Sequence, residues 1–368
     1  MPADRSGAEG VGMEPELSLR RVAAALLGTL ACGLVTASAP PRAASELPAQ
    51  LSATGLYADL RADRVAKGVR SFTPQYPLWS DGSLKRRWLW LPPGTRIDAS
   101  RTDAWQFPPG TRLWKEFSMG RRVETRLIER LADGQWRYAT YVWREDGSDA
   151  DLAPERGIAA HPVAGAPKGR YRILARDDCR ACHEAAPVPV LGVSALQLSP
   201  DRDPHAANAV PPADGDLDLA GLQRLGLLSG LDRGLRRSPP RIPARTPDEP
   251  AALGYLQGNC CHCHNRDGAE PRLPLDLVLA QPARPSLKAE DIVAELQRTP
   301  LRYRRPGAER LLVPGDAAHS VLALRLGSID AVTRMPPLGT TLVDPQGLAL
   351  VRRWIDALPP TDPPGESP

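Results

Sequence analysis

Residues 254–268 read GYLQGNCCHCHNRDG, and the meaning of this stretch decides how the whole chain is read. C-x-x-C-H fits it in one register only, as Cys260, Cys263 and His264, with Cys261 and His262 as the spacer. Two thiols at this spacing can each add to a vinyl group of one haem, and the histidine that follows is then held beneath the iron as its proximal ligand. The pattern recurs in DDCRACHEA as Cys179, Cys182 and His183. Four of the six cysteines are therefore expected to anchor two c-type haems, with Cys261 outside the register and Cys32 in the N-terminal leader. Zinc is the main alternative, because Cys260 and Cys263 with His262 or His264 offer ligands at a plausible spacing. A structural zinc site closes with four ligands, however, and neither pentapeptide carries the rest. A disulfide reading leaves the twice-repeated histidine offset without a reason.

The second motif has a candidate distal ligand in RMPPLGTTLVD. Met335 precedes two prolines that deny the loop a helix and restrict the backbone around the thioether. A methionine sulfur opposite a histidine nitrogen raises the haem potential and leaves no open position for oxygen or peroxide, which favours electron transfer over catalysis. The expected metal ligands are thus His183, His264 and Met335. No Met-Pro loop follows the first motif, and its sixth ligand stays open among Met119, His161, His205 or none.

Length and composition set the frame. A chain of 368 residues suffices for two or three domains. Its 40 prolines and 31 glycines imply many turns and long irregular connections. A net charge of +4 is mild for this length and would be offset in part by haem propionates, so nucleic-acid binding is a poor account of the arginines. Residues 1–39 have the pattern of an export signal, with Arg20 and Arg21 before an apolar run that ends in small residues. Cys32 is a candidate lipid anchor. Either way the expected location is the periplasm or another extracytoplasmic space, attached to a membrane if Cys32 is lipidated.

Between residues 72 and 143 lie seven of the eight tryptophans and all three phenylalanines, which marks a separate core. RRWLWL, RLWKEFSM, RVETRLIER and QWRYATYVW alternate with period two and are separated by Pro-Pro-Gly at 92–94 and 108–110 and by Asp133-Gly134. An antiparallel sandwich or open barrel over 46–175 is expected. Within it Trp79, Asp81, Lys85, Arg86 and Arg87 crowd into a few residues, which reads either as an anion or sugar site or as a charged rim on an aromatic core. Residues 176–248 hold the first motif, an amphipathic helix in LDLAGLQRLGLLSGLDRGL and an Arg- and Pro-rich linker. Residues 249–360 read as a haem domain. A helix leads into Cys260 with Asp248 and Glu249 in its first turn, and DPQGLALVRRWIDAL closes the domain with Leu348, Leu350, Val351, Trp354 and Leu358 on one apolar stripe.

Taken in order, PLWSDGSLKRRWLWLPPGT, ETRLIER, YVW, CRACH, YLQGNCCHCHNRDG, LVPGDAAHSVLALR and RMPPLGTTLVD resemble a bacterial family of diheme c-type cytochromes with an N-terminal β-rich domain. The last third is also similar to class I cytochrome c domains. The resemblance implies an α+β multidomain fold, an antiparallel β-rich N-terminal domain followed by a mostly α-helical cytochrome c-like C-terminal domain. It further implies haem attachment at Cys179, Cys182, Cys260 and Cys263, iron ligation by His183 and His264, and a distal Met335. The expected function is electron transfer with a redox partner protein. The alternatives are a peroxidase-like diheme enzyme acting at an open first haem, or the cytochrome subunit of a larger oxidoreductase.

Overall fold

Six strands form the main sheet of the computed structural model, paired antiparallel throughout: Arg70–Ser71, Leu84–Trp90, Arg112–Met119, Arg121–Arg130, Trp136–Trp143 and Ala150–Leu152 in spatial order. The structure describes residues 46–360 except 103, 244, 266–292, 295, 301, 302 and 304, and these belong to one compact unit, Glu46–Pro368. The four long strands fall where the alternating tryptophan, arginine and β-branched residues place them. The six strands form one open sheet, and three two-stranded sheets accompany it among the described residues.

Period-two alternation gives the sheet two unlike faces. On one, Trp88, Trp114, Leu127, Tyr141 and Trp143 are buried against Leu51, Leu56, Tyr57 and Leu60 of the N-terminal segment. Trp114 Nε1 donates to Thr54 Oγ1 at 3.1 Å and Trp143 Nε1 to Thr125 Oγ1 at 3.0 Å, so both indoles keep a partner in the core. On the other face Leu89 and Leu113 pack with Val188, Val190, Val193 and Leu198 from the segment after the first cysteine motif. Residues from 188 to 235 therefore form a layer on this face of the sheet.

The expectation of a mostly α-helical, cytochrome c-like C-terminal domain is overturned. The structure is β-rich, with six helices among the described residues. In 249–360 these are Asp248–Asn259, Val321–Leu326 and Pro345–Asp356, joined by turns. The reason is in the sequence: Pro306-Gly307, Pro314-Gly315 and Pro336-Pro337 with Gly339 interrupt the chain before the closing helix, and Gly307, Gly315 and Gly339 all adopt positive φ. The amphipathic stretch around 217–235 is likewise two short helices, Leu219–Arg224 and Arg233–Arg237. Between them Leu228–Ser229 pairs in parallel with Ile97–Asp98.

The two 12-residue helices pack against each other as the pattern predicts. Leu350, Val351, Trp354 and Ile355 are buried in the closing helix, while Arg352 and Arg353 face out. Close approach depends on glycine. A Cβ at Gly347 would lie 2.3 Å from the Tyr255 ring, and one at Gly254 would lie 2.2 Å from the ring of Tyr76. Tyr76 precedes the main sheet's second strand, so Gly254 is where the helix leading into Cys260 meets the β-rich part. Among the described residues no helix is long and apolar enough to cross a membrane. Gly254→Ala should lower stability by about 2 kcal/mol or more through overpacking, read as a fall in the urea midpoint with an unchanged m-value.

Candidate functional site

The first cysteine motif lies on the helix Arg176–His183, whose first turn carries Asp177 and Asp178, where the helix dipole favours acids. Asp178 accepts a hydrogen bond from the Ala175 amide at 3.0 Å. At the other end His183 places Nδ1 2.5 Å from the carbonyl oxygen of Pro189. A carbonyl can only accept, so Nδ1 carries the proton and Nε2 presents its lone pair. This is the tautomer and orientation that a metal-ligating histidine needs. The ring lies 5.5 Å from that of Tyr138, and desolvation pushes its pKa down to about 4, so the imidazole is neutral at physiological pH.

Cys179, Cys182 and His183 line one cavity of about 210 Å³ that is partly open to solvent. Its walls come from several parts of the chain. The sheet supplies Arg87, Leu113, Lys115, Arg126 and Ile128; the segment after the motif supplies Ala186, Val188, Val190 and Val193; the helix end at the second motif supplies Gln257, Gly258, Cys261 and His262. An apolar cleft with a few converging polar groups is the usual form of a cofactor site.

The two motifs meet here. A sulfur of Cys182, a sulfur of Cys263 and a ring nitrogen of His262 all lie within 4.8 Å of one another. Hydrogen bonding from Cys263 and the nearby His262 lower the pKa of the Cys182 thiol against the opposing effect of burial, while Cys263 is pushed up by its bond to Cys182. Burial pushes Cys260 up to about 12 and holds Cys261 well above the usual thiol range.

Cys260, Cys263 and His264 are not among the residues lining the large cavity. Cys260 caps the helix Asp248–Asn259, and the His264 amide donates to the Cys260 carbonyl at 2.9 Å. Met335 lines a separate small cavity with Trp79, Tyr255 and Asn259, so it sits beside the helix that ends at the second motif. Its successors Pro336, Leu338 and Gly339 reach the large cavity. The three open candidates for the first motif's sixth ligand all lie elsewhere. Met119 is buried with Val123, Val163 and Ile173; His161 is on the Ile158–Pro162 strand; His205 is exposed beside Asp248. His262 lines the cavity instead, a residue that spacing alone treats as filler. The leader and Cys32 lie outside the described residues.

Asp81 and Asn259 hold this arrangement together. Asn259, 3 % exposed, accepts from the Trp79 amide at 2.8 Å and donates to the carbonyls of Pro77 and Tyr255. The Asp81 carboxylate accepts from the Thr341 amide at 2.8 Å, the Thr341 hydroxyl at 2.7 Å and the Leu342 amide at 2.9 Å. The cluster at 79–87 that read as an anion site or a charged rim is divided by these contacts. Asp81 clamps the methionine loop, Arg86 faces the N-terminal segment through Asp63 and Glu116, and Arg87 enters the cavity.

Compared with family models, curated proteins and solved structures, the chain matches none. Asp81→Ala should release the loop after Met335. Hydrogen exchange at the Thr341 and Leu342 amides should then quicken by roughly 10- to 100-fold, the loss of about 1–3 kcal/mol of local protection.

Proposed function

We propose that the chain is a diheme c-type cytochrome that works outside the cytoplasm and passes electrons to and from a redox partner protein. The observation that carries this reading is His183, held by Pro189 through Nδ1 with Nε2 left for a metal, in a cavity that also presents Cys179 and Cys182. A covalently bound haem supplies one-electron chemistry at its iron. The chain's part is to anchor and tune it. Cys179 and Cys182 would fix one haem, with His183 as proximal ligand. Cys260 and Cys263 would fix the other, with His264 below the iron and Met335 as distal ligand. The valines at 188, 190 and 193 exclude water from one wall of the first cavity, and low polarity there raises the cost of the extra charge on ferric iron. The export pattern at 1–39 agrees with this location, since covalent attachment of haem follows export.

One observation favours a second reading. Cys182, Cys263 and His262 form the two-sulfur, one-nitrogen donor set of a zinc site with one open position. It gives no role to Cys179, Cys260, His183 or His264, whereas the haem reading uses all four.

Two tests separate the readings. The full chain matured with cytochrome c assembly factors should carry two covalent haems by intact mass. Cys179→Ala with Cys182→Ala should remove one, and Cys261→Ser should remove none. A colourless product with one equivalent of zinc, lost in His262→Ala, would establish the second reading in place of the first. Met335→Ala should lower the midpoint potential of one haem and abolish its sulfur-to-iron absorption band; survival of both would exclude Met335 as a ligand.

A further inference from the structure

The sheet-side wall of the cavity carries more positive charge than its neighbours balance. Strand alternation sends Lys85, Arg87 and Leu89 to the same face, and the register sets Arg87 opposite Lys115 and Lys115 opposite Arg126. Three cations thus lie side by side across three adjacent strands. Like charges directly opposite one another destabilise a sheet, and taking them out of water adds a desolvation cost. Two strand spacings, about 10 Å, separate the ends of this row.

What balances it is incomplete. Glu124, fully buried, accepts from Arg126 and from the Tyr171 hydroxyl at 2.8 Å. The Phe117 ring receives Lys85, Lys115 and Arg126 at 5.8, 5.0 and 4.3 Å, each such contact being worth about 1 kcal/mol. Asp178 also lines the cavity but is engaged by Arg172 and the Ala175 amide. The side chains of Arg87 and Lys115 have no hydrogen-bond or salt-bridge partner among the described residues. Arg87 is only 8 % exposed and its side chain lines the cavity. Burial presses its pKa down to about 10, and Lys115 is held well below the usual lysine range by burial and by Arg87, Lys85 and Arg126. A guanidinium buried without an anion is costly unless one binds there, and its planar fork suits a carboxylate.

We propose that Arg87, Lys115 and Arg126 form a carboxylate-binding site on the sheet side of this cavity, filled either by the propionates of the haem held at Cys179, Cys182 and His183 or by a free small dianion. The haem source rests on the diheme reading; the existence of the site does not. Arg126 is the member electrostatically coupled to Cys179, so it marks the thioether side of the cavity, and Arg87 lies two strands away at the far end of the row.

The test uses the matured full chain, Arg87→Gln, Arg87→Lys and Lys115→Met, with two readouts. Spectroelectrochemical titration follows the two haem potentials, and calorimetric titration follows binding of succinate and of inorganic phosphate. If the propionates fill the site, Arg87→Gln and Lys115→Met each shift one midpoint potential downward and leave the other unchanged, Arg87→Lys recovers most of the shift, and added succinate does not bind. If a free anion fills it, the wild type binds succinate or phosphate and Arg87→Gln weakens binding at least tenfold. Lys115→Met carries the same readouts should Arg87→Gln fail to fold. Anion binding through Arg87 in a colourless protein would keep the site and remove the diheme reading. Unchanged potentials together with no Arg87-dependent anion binding would overturn the proposal.

Discussion

The carboxamide of Asn259 is the contact on which the cavity depends. It sits one residue before Cys260 and satisfies the amide of Trp79 and the carbonyls of Pro77 and Tyr255 in the interior. A buried amide group left without partners costs about 1–3 kcal/mol, so the loop before the second sheet strand and the C-terminal end of the helix Asp248–Asn259 are held in one register. Tyr76 packed on Gly254 and the Gly258–Tyr76 backbone approach allow that register sterically. Because the helix end is fixed against the sheet, Cys261 and His262 form part of the same cavity as Cys179 and His183.

A second layer of constraint comes from charge. The sheet is held on its N-terminal side by paired ions: Arg86 with Asp63 and Glu116, Arg112 with Glu129. Its cavity side has Arg87 and Lys115 without such partners. Strand pairing leaves no freedom to separate these side chains, since the register that buries Trp88 and Trp114 on one face sets Arg87 against Lys115 on the other. The same alternation that builds the aromatic core therefore concentrates positive charge in the cleft.

Much of this was legible from residue patterns. The four long strands follow from alternation of large apolar and charged residues in RRWLWL, RLWKEFSM, RVETRLIER and QWRYATYVW, and their turns from Pro-Pro-Gly and Asp-Gly. The helix into Cys260 and the closing helix follow from their apolar stripes. The extent of helix after residue 249 was misjudged, because two good helices at the ends of a region suggest a helical whole, while the prolines and glycines between them decide otherwise. What covers the sheet was not legible, because alternation says that a strand has two faces and not what packs on each. Here the segment after the first motif does the covering.

The sequence by itself determined the chemistry-bearing residues: two C-x-x-C-H spacings, a methionine before two prolines, and a strand that carries lysine and arginine at alternate positions. These are local properties, set by spacing and by the periods of strand and helix. Only the tertiary structure decided that the two motifs meet at Cys182 and Cys263, that His262 rather than His161, His205 or Met119 enters the first cavity, and that Arg87, Lys115 and Arg126 form one row. Those facts depend on strand register and on how the helix Asp248–Asn259, far along the chain from the strands, docks on the sheet. Such contacts are fixed by packing shape and by the need to satisfy buried polar groups such as Asn259, and no short-range pattern in the chain encodes them.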